Sequence, residues 1–159
     1  MSPAPNVPLD GTDRALLDSL RRDARVPNNR LAEQAGVAAS TALARARSLV
    51  DRGVIRGFHA EIDLAAVGRP VQALVAVRLR AHDRAQISAF SRRVPALPEV
   101  VASYHVAGVD DYVLHVAVPS AEHLRDFVLD HLTTDPAVGH TETSLVFEVR
   151  RGNDGPLGP

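Results

Sequence analysis

Residues 28–56, NNRLAEQAGVAASTALARARSLVDRGVIR, constrain the fold more than any other stretch of the chain. Small apolar residues repeat there at helical spacing and predict two helices, with buried stripes made by Leu31, Ala32 and Ala35 and by Ala42, Ala46 and Leu49. Gly36 is expected to end the first helix, because a residue just past a helix end often needs a positive φ. Ser40 or a small neighbour can open the second helix, and Gly53 closes it. Two short helices joined by a glycine turn describe a helix-turn-helix.

The outward face of the second helix indicates what that motif could bind. A helix that enters the major groove needs small residues for close approach, hydroxyl or guanidinium groups for base edges, and cations for phosphates. Several side chains of this helix meet those needs and are our candidate DNA contacts: Ser40, Thr41, Arg45, Arg47 and Arg52. The alternative is a helical hairpin whose arginines only face solvent.

The residues before the motif predict a third helix. Residues 1–8 are rich in proline and are expected to be disordered. Asp10 or Thr12 can cap a helix that ends near Arg25, and its buried stripe is Leu16, Leu17, Leu20 and Ala24. Pro27 then breaks the chain. Three helices are the minimum that buries the apolar faces of a small DNA-binding module.

The second half of the chain shows a different pattern. Apolar residues alternate over 71–80, 99–107, 112–118 and 141–150, with helical spacing over 83–94 and after Ser120, which predicts β-α-β-β-α-β, a ferredoxin-like sheet in an α+β protein. Residues 57–69 are interpreted as an extended linker strand. The helix-covered face is expected to carry Val75, Val77, Tyr104, Val106, Leu114, Val116, Leu145 and Phe147. The other face also looks too apolar to stay wet, so we expect a second copy to pack there as a dimer.

Charge and composition narrow the class of protein. Residues 1–60 carry nine arginines against six acids, whereas residues 61–159 carry nine arginines against thirteen acids, so only the first part suits nucleic-acid phosphates. There is no cysteine, which argues against disulfides and thiolate metal sites and favours a cytoplasmic protein. No apolar run is long enough for a membrane span, and the N-terminus does not look like a signal peptide.

Four segments together resemble the Lrp/AsnC family of transcription regulators, the leucine-responsive or feast/famine proteins. They are LDGTDRALLDSLRRDAR, LAEQAGVAASTALARARSLVDRGVIRGF, VAGVDDYVLHV and TETSLVFEV, in this order over residues 9–151. The resemblance implies a helix-turn-helix (winged-helix-like) domain at 9–56, the strand linker at 57–69, a RAM domain at 70–151 for effector binding and oligomerisation, and a flexible tail at 152–159. It also implies dimers that assemble into tetramers or octamers.

The resemblance further implies a site for a small effector, usually an amino acid, between dimers and near a glycine-acid turn. The matching positions here are Gly108, Asp110, Asp111, Thr141 and Thr143. Family members usually open the first helix of the motif with a Ser-x-x-Glu capping box. This chain has Pro27 and Arg30 there, so Asn28 is expected to cap that helix, and we include it among the DNA-binding candidates.

Other functions have less support in the sequence. His105 and His115 would face each other if Val106 paired with Leu114, and two imidazoles so placed could share a Zn²⁺, but ordinary packing is the stronger interpretation and we assign no metal ligand. No motif for an enzyme is present, neither a phosphate-binding glycine loop nor a nucleophile elbow, so we assign no catalytic residue and no cofactor besides an effector. An architectural protein that coats DNA without an effector is the alternative function.

Overall fold

The computed structural model describes residues 8–80 and 84–150. The chain divides into two compact units, and the boundary in the sequence falls between Glu61 and Ile62. The sequence-based predictions for residues 1–7 and 152–159 lie outside the described residues. None of the described helices is both long enough and apolar enough to span a membrane.

The first unit is a bundle of three helices, α1 (Gly11–Arg22), α2 (Asn28–Ala35) and α3 (Ala39–Asp51). Asp10 caps α1, since its side chain accepts the backbone N–H of Asp13 at 2.8 Å. Gly36 ends α2 with a φ of 65°, the left-handed conformation predicted for it. Residues from all three helices form one apolar core, Leu16, Leu17, Leu31, Ala32, Ala42 and Leu49.

Two local predictions in this unit, and a third for the segment that follows it, are wrong. Helix α1 ends at Arg22 rather than near Arg25. Helix α2 has Pro27 as its N-cap and no side-chain cap, because Asn28 is already the first helical residue. The linker strand expected over residues 57–69 is absent from the described chain. Residues 64–68 turn instead, since the N–H of Arg69 reaches the carbonyl of Leu64 at 2.8 Å. A strand needs a partner for its backbone groups, and none of the four described strands pairs with this segment.

The packing of the core of the first unit predicts how two leucine substitutions change the free energy of unfolding. Leu49 is fully buried, whereas Leu43 on the same helix is 40% exposed. We expect Leu49→Ala to lower the free energy of unfolding by about 2–5 kcal/mol, because it removes buried apolar area and leaves a cavity. Leu43→Ala makes the same change in helix propensity and should cost less than about 1 kcal/mol. Urea unfolding followed by far-UV circular dichroism measures both, and equal losses would show that α3 is not packed as described.

The second unit has the predicted order of elements. It contains β1 (Val71–Leu79), α4 (Arg84–Arg93), β2 (Val100–His105), β3 (Tyr112–Val118), α5 (Ala121–Val128) and β4 (Val138–Val146). A short 3₁₀ turn at Val94–Ala96 follows α4, and a π-helical turn at Leu129–Thr133 follows α5. The strands lie in the order β2-β3-β1-β4 and are antiparallel throughout. This is the ferredoxin-like arrangement, and the α+β prediction is confirmed.

One face of this sheet is covered by the helices, and half of the residues predicted there are buried: Val75, Val77, Leu114 and Val116. Tyr104 was placed wrongly, because a register shift between Val100 and Ala102 brings Ser103 opposite Leu114. Tyr104 therefore pairs with Val113 on the open face and is 55% exposed. Leu145 pairs with the buried Ala73 and so lies on the predicted face, but it is 53% exposed on the edge strand β4. Val106 and Phe147 lie outside the strands and are exposed.

Candidate nucleic-acid interface and ligand site

The outer face of α3 is open and is made of small and polar side chains. Ser40, Thr41, Ala44 and Arg47 are all exposed there, opposite the buried Ala42. Arg47 has no ion pair among the residues that the structure describes, so its guanidinium is available to an external anion. Small residues flanking an available arginine suit close approach to duplex DNA and contact with phosphate or guanine.

Arg45 and Arg52, the other two arginines predicted to contact DNA, are engaged within the chain. Arg45 Nη1 lies 2.5 Å from Asp10 Oδ2 and 2.9 Å from Asp13 Oδ1. Arg52 Nη2 donates to the carbonyl of Pro8 at 2.7 Å, and its Nη1 lies 3.6 Å from Asp13 Oδ2. Both side chains therefore join α3 to the start of α1 instead of extending from the outer face.

Two groups of this cluster, Asp10 and Arg45, have shifted pKa values. Hydrogen bonds from the Asp13 amide and from Arg45 hold the pKa of Asp10 below its ordinary value of 3.8. The two carboxylates in turn raise the pKa of Arg45 above its ordinary value. Both residues stay charged at neutral pH, and the cluster remains an ion-pair network.

Asn28 connects the two helices of the motif. Its Nδ2 donates to the carbonyl of Ala39 at 2.9 Å, at the beginning of α3. Its Oδ1 is buried and has no hydrogen-bond partner within the described part of the chain. The side chain thus fixes the α2–α3 turn, a contact over eleven residues that a capping pattern in the sequence does not reveal.

The predicted ligand turn of the second unit is held against the end of β1. The N–H of Val106 reaches the carbonyl of Asp111 at 2.9 Å, and the N–H of Asp111 reaches Val77 at 2.9 Å. Asp111 Oδ2 accepts the N–H of Leu79 at 2.8 Å. Gly108 does not have a positive φ, and a Cβ placed on it would meet nothing within 4 Å. The space above the turn is therefore open to a ligand.

Arg78 also contacts this turn, although no pattern in the sequence distinguishes it. Its Nε donates to the carbonyl of Val109 at 2.8 Å, and its Nη2 lies 3.4 Å from Asp110 Oδ1. His140 is its cross-strand partner on β4. The register that brings these residues together was not available from the sequence, where Arg78 was only one polar residue of an alternating strand.

Thr141 and Thr143 lie on the helix-covered face of the sheet, opposite to the face that carries Arg78. They pair with Val77 and Val75, whose side chains are buried under the helices. Directly opposed residues of antiparallel strands point to the same side. Within one chain the structure thus brings Asp110, Asp111 and Arg78 together, but not the two threonines.

The suggested pair of histidines does not form. His105 pairs with Tyr112 and stacks on its ring at 4.7 Å, whereas His115 pairs with Ala102 on the open face. His115 Nε2 lies 2.9 Å from Gln72 Oε1. Across residues 8–80 and 84–150 no group of three potential metal ligands is assembled.

A separate cleft of about 550 Å³ lies between α4 and residues 135–137. Phe90 and Arg93 line one side of it, and Arg93 forms an ion pair with Asp135 on the other side. The guanidinium of Arg93 also lies 5.8 Å from the centre of the Phe90 ring. No pattern in the sequence indicated this cleft.

Comparison with known protein families matches both units. Residues 9–56 match a model described as winged helix-turn-helix DNA-binding, and residues 72–153 match the Lrp/AsnC ligand binding domain. Residues 57–71 lie between the two matched segments.

Individual relatives agree with this assignment. The chain is 47% identical to the HTH-type transcriptional regulator AldR of Mycobacterium tuberculosis over 144 residues, 91% of this chain and 80% of the relative. It is 32% identical to the transcriptional regulator AzlB of Bacillus subtilis, over 91% of this chain and 92% of AzlB.

Solved structures give the same result. The crystal structure of M. tuberculosis AldR superposes with a TM-score of 0.74 at 44% identity, over 91% of this chain and 98% of that one. The regulator NMB0573 of Neisseria meningitidis, solved as an L-Met complex, gives a TM-score of 0.85 at 28% identity, over 91% and 94% of the two chains. The relatives are regulators rather than enzymes. The chain belongs to the Lrp/AsnC family of DNA-binding transcription regulators with a ligand-binding domain.

Proposed function

We propose that this regulator senses a free amino acid at the turn formed by residues 106–111, and that the bound amino acid changes its assembly and its affinity for specific DNA sites. The observation that supports this most is the geometry of the turn. The carboxylate of Asp110 contacts the guanidinium of Arg78, and the carboxylate of Asp111 accepts the N–H of Leu79. The space beside Gly108 is open. The L-Met complex of the Neisseria relative supports the same class of ligand.

The charges at the turn suit a zwitterion. The ammonium of an amino acid needs carboxylate or carbonyl oxygens, and its carboxylate needs a guanidinium, hydroxyls or backbone N–H groups. Asp110 and Asp111 offer carboxylates for the ammonium, and Arg78 offers a guanidinium for the carboxylate. The contact between Asp110 and Arg78, at 3.4 Å, is long and partly exposed. Because exposed ion pairs of this kind contribute little, a ligand with both charges can replace the contact at small cost.

The proposed function also requires copies of the chain to assemble into oligomers. The open sheet face exposes apolar side chains, among them Leu74, Val101 and Tyr104, and a second copy that packs on it would form the dimer. Dimers would then join into tetramers or octamers, with the hydroxyls of Thr141 and Thr143 facing the ligand from a neighbouring copy. We place the assembly in the cytoplasm, where free amino acids and DNA are both present.

The dimer would present two α3 helices to successive major grooves. Such helices read half-sites about 34–36 Å apart on a near-palindromic duplex. An effector that binds one assembly state more tightly shifts the population to that state. The separation of the two helices, and with it the DNA affinity, then depends on the metabolite.

A screen with the twenty amino acids tests this function. Sedimentation and electrophoretic mobility shift, each with and without every amino acid, should show that at least one of them changes both the oligomer size and the DNA affinity. The DNA is a duplex selected by the wild-type protein from a random library. If none of the twenty changes either quantity, the effector proposal fails and a DNA-coating protein without an effector is the better account.

A further inference from the structure

The buried carboxylate of Asp13 distinguishes the first unit from a plain three-helix bundle. Asp13 is the one charged residue among the buried residues of the described chain, at 5% exposure. A carboxylate removed from water costs free energy unless charges and hydrogen bonds compensate it. Here the compensation comes from α3, whose arginines reach both of its oxygens.

The two arginines contact Asp13 from two levels of α3: Arg45 lies within the helix, and Arg52 is the C-cap residue that follows its last turn. Arg45 Nη1 lies 2.9 Å from Oδ1, and Arg52 Nη1 lies 3.6 Å from Oδ2. Seven residues separate them, which is about two helical turns, so both project from the same flank of α3. One carboxylate on α1 therefore contacts α3 at two points along its length.

Neighbouring groups strengthen this contact. Asp10 accepts a second hydrogen bond from Arg45 at 2.5 Å, and the carbonyl of Pro8 accepts one from Arg52 at 2.7 Å. Two contact points with several donors resist rotation of α3 about its axis more than apolar side chains do, because hydrogen bonds depend on direction.

Rotation of α3 is the motion that would damage DNA recognition. Its outer side chains lie about 5–6 Å from the helix axis, so a turn of about 20° would move them by about 2 Å. Hydrogen bonds to base edges tolerate a few tenths of an ångström. Ser40 and Arg47 can make such bonds only if the orientation of α3 is fixed.

We propose that Asp13 is a positioning residue for DNA binding: by holding Arg45 and Arg52 it sets the orientation of the recognition helix α3. It follows that these two arginines serve the bundle and do not act as phosphate contacts. The available cation on the outer face, Arg47, carries that role.

The salt dependence of DNA binding separates these roles. Each phosphate contact that is lost lowers the slope of log K against log salt by about 0.9. A positioning residue instead changes the preference for specific over non-specific DNA and leaves that slope unaltered. A residue that matters only for stability changes neither quantity while the protein is folded.

The test uses the full chain with Asp13→Asn, which keeps the side-chain shape and removes the charge. The probes are a duplex selected by the wild-type protein from a random library and poly(dI-dC) as non-specific DNA. We expect about tenfold weaker binding to the selected duplex, unchanged or tighter binding to poly(dI-dC), and an unchanged salt slope, at a temperature where circular dichroism shows a folded protein. Equal binding of the selected duplex by the variant and the wild type would overturn the proposal.

Asp18→Asn is the matched control on the same helix. Asp18 pairs with Arg21 and Arg22 of α1 itself and makes no ion pair to α3 among the described residues. Its removal should leave the preference for the selected duplex unchanged, and a loss as large as that of Asp13→Asn would contradict a specific role for Asp13.

A second variant keeps the proposal testable if Asp13→Asn does not fold. Arg45→Met removes the guanidinium that makes the shorter of the two contacts to Asp13. The side chain of Arg45 is partly exposed, whereas Asp13 is buried. We expect it to lower the ratio of selected to non-specific affinity with the salt slope unchanged. A slope that falls by about one would show that Arg45 contacts phosphate, and the proposal would be wrong.

Discussion

Arg47→Ala should weaken binding to a selected DNA duplex by about fivefold to a hundredfold and lower the salt slope by about one. The reason is the position of Arg47. It lies on the outer face of α3 between exposed small residues, and it has no ion pair among the described residues. Fluorescence anisotropy at four or more salt concentrations measures the affinity and the slope in one experiment.

Arg22→Ala is the control for this prediction, because it removes the same charge from the same unit. Arg22 lies in the last turn of α1, is mostly exposed and pairs with Asp18 at 2.5 Å. Its removal should change the affinity less than about twofold, since it is not on the outer face of α3. If the two variants lost equal affinity, net charge rather than a located contact would explain the binding.

The helix-turn-helix could be predicted because its determinants are local. Gly36 has the positive φ that its position between two apolar stripes required, and four of the six residues of those stripes lie in the core: Leu31, Ala32, Ala42 and Leu49. The order of strands and helices in the second unit was predictable for the same reason, since periods of two and 3.6 residues appear directly in the sequence.

The roles of the arginines could not be predicted in this way. Arg45 lies on a flank of α3, and whether that flank faces DNA or α1 depends on how the helices pack. Its partners are 32 and 35 residues away in the chain. A sequence without aligned relatives carries no sign of such a pair, and the two acids looked like ordinary residues at a helix start.

The register of the strands was the second feature that could not be predicted from the sequence. One extra residue in β2 reversed the faces of Tyr104 and its neighbours. The observed register also pairs His105 with Tyr112 and His115 with Ala102, so the two histidines do not face each other. The candidate ligand site was affected in the same way. Asp111 and Thr141 were both predicted to line it, but Thr141 pairs with Val77 on the helix-covered face and Asp111 lies in the turn before β3, so one chain does not bring them together.

Asp111→Asn should weaken the binding of an activating amino acid by about tenfold to a hundredfold and leave DNA binding without the amino acid unchanged. The proposed reason is the loss of a negative charge that pairs with the ligand ammonium, since hydrogen bonds to charged groups contribute about 1.5–3 kcal/mol. Isothermal titration with the amino acid identified by the screen measures this loss. A mobility shift without the amino acid checks the DNA affinity.

The choice of asparagine over alanine follows from the contacts of Asp111. Its Oδ2 accepts the N–H of Leu79 at 2.8 Å, where the β1–β4 register shifts. Alanine would leave that N–H without its acceptor and loosen the turn, so a lost response could not be assigned to charge. Asparagine retains an oxygen acceptor of the same size. Asp111→Asn could instead bind the amino acid as the wild type does while Asp111→Ala fails to bind it. That result would show that Asp111 shapes the turn and that another group binds the ligand ammonium. Asp110 is the nearest carboxylate in sequence.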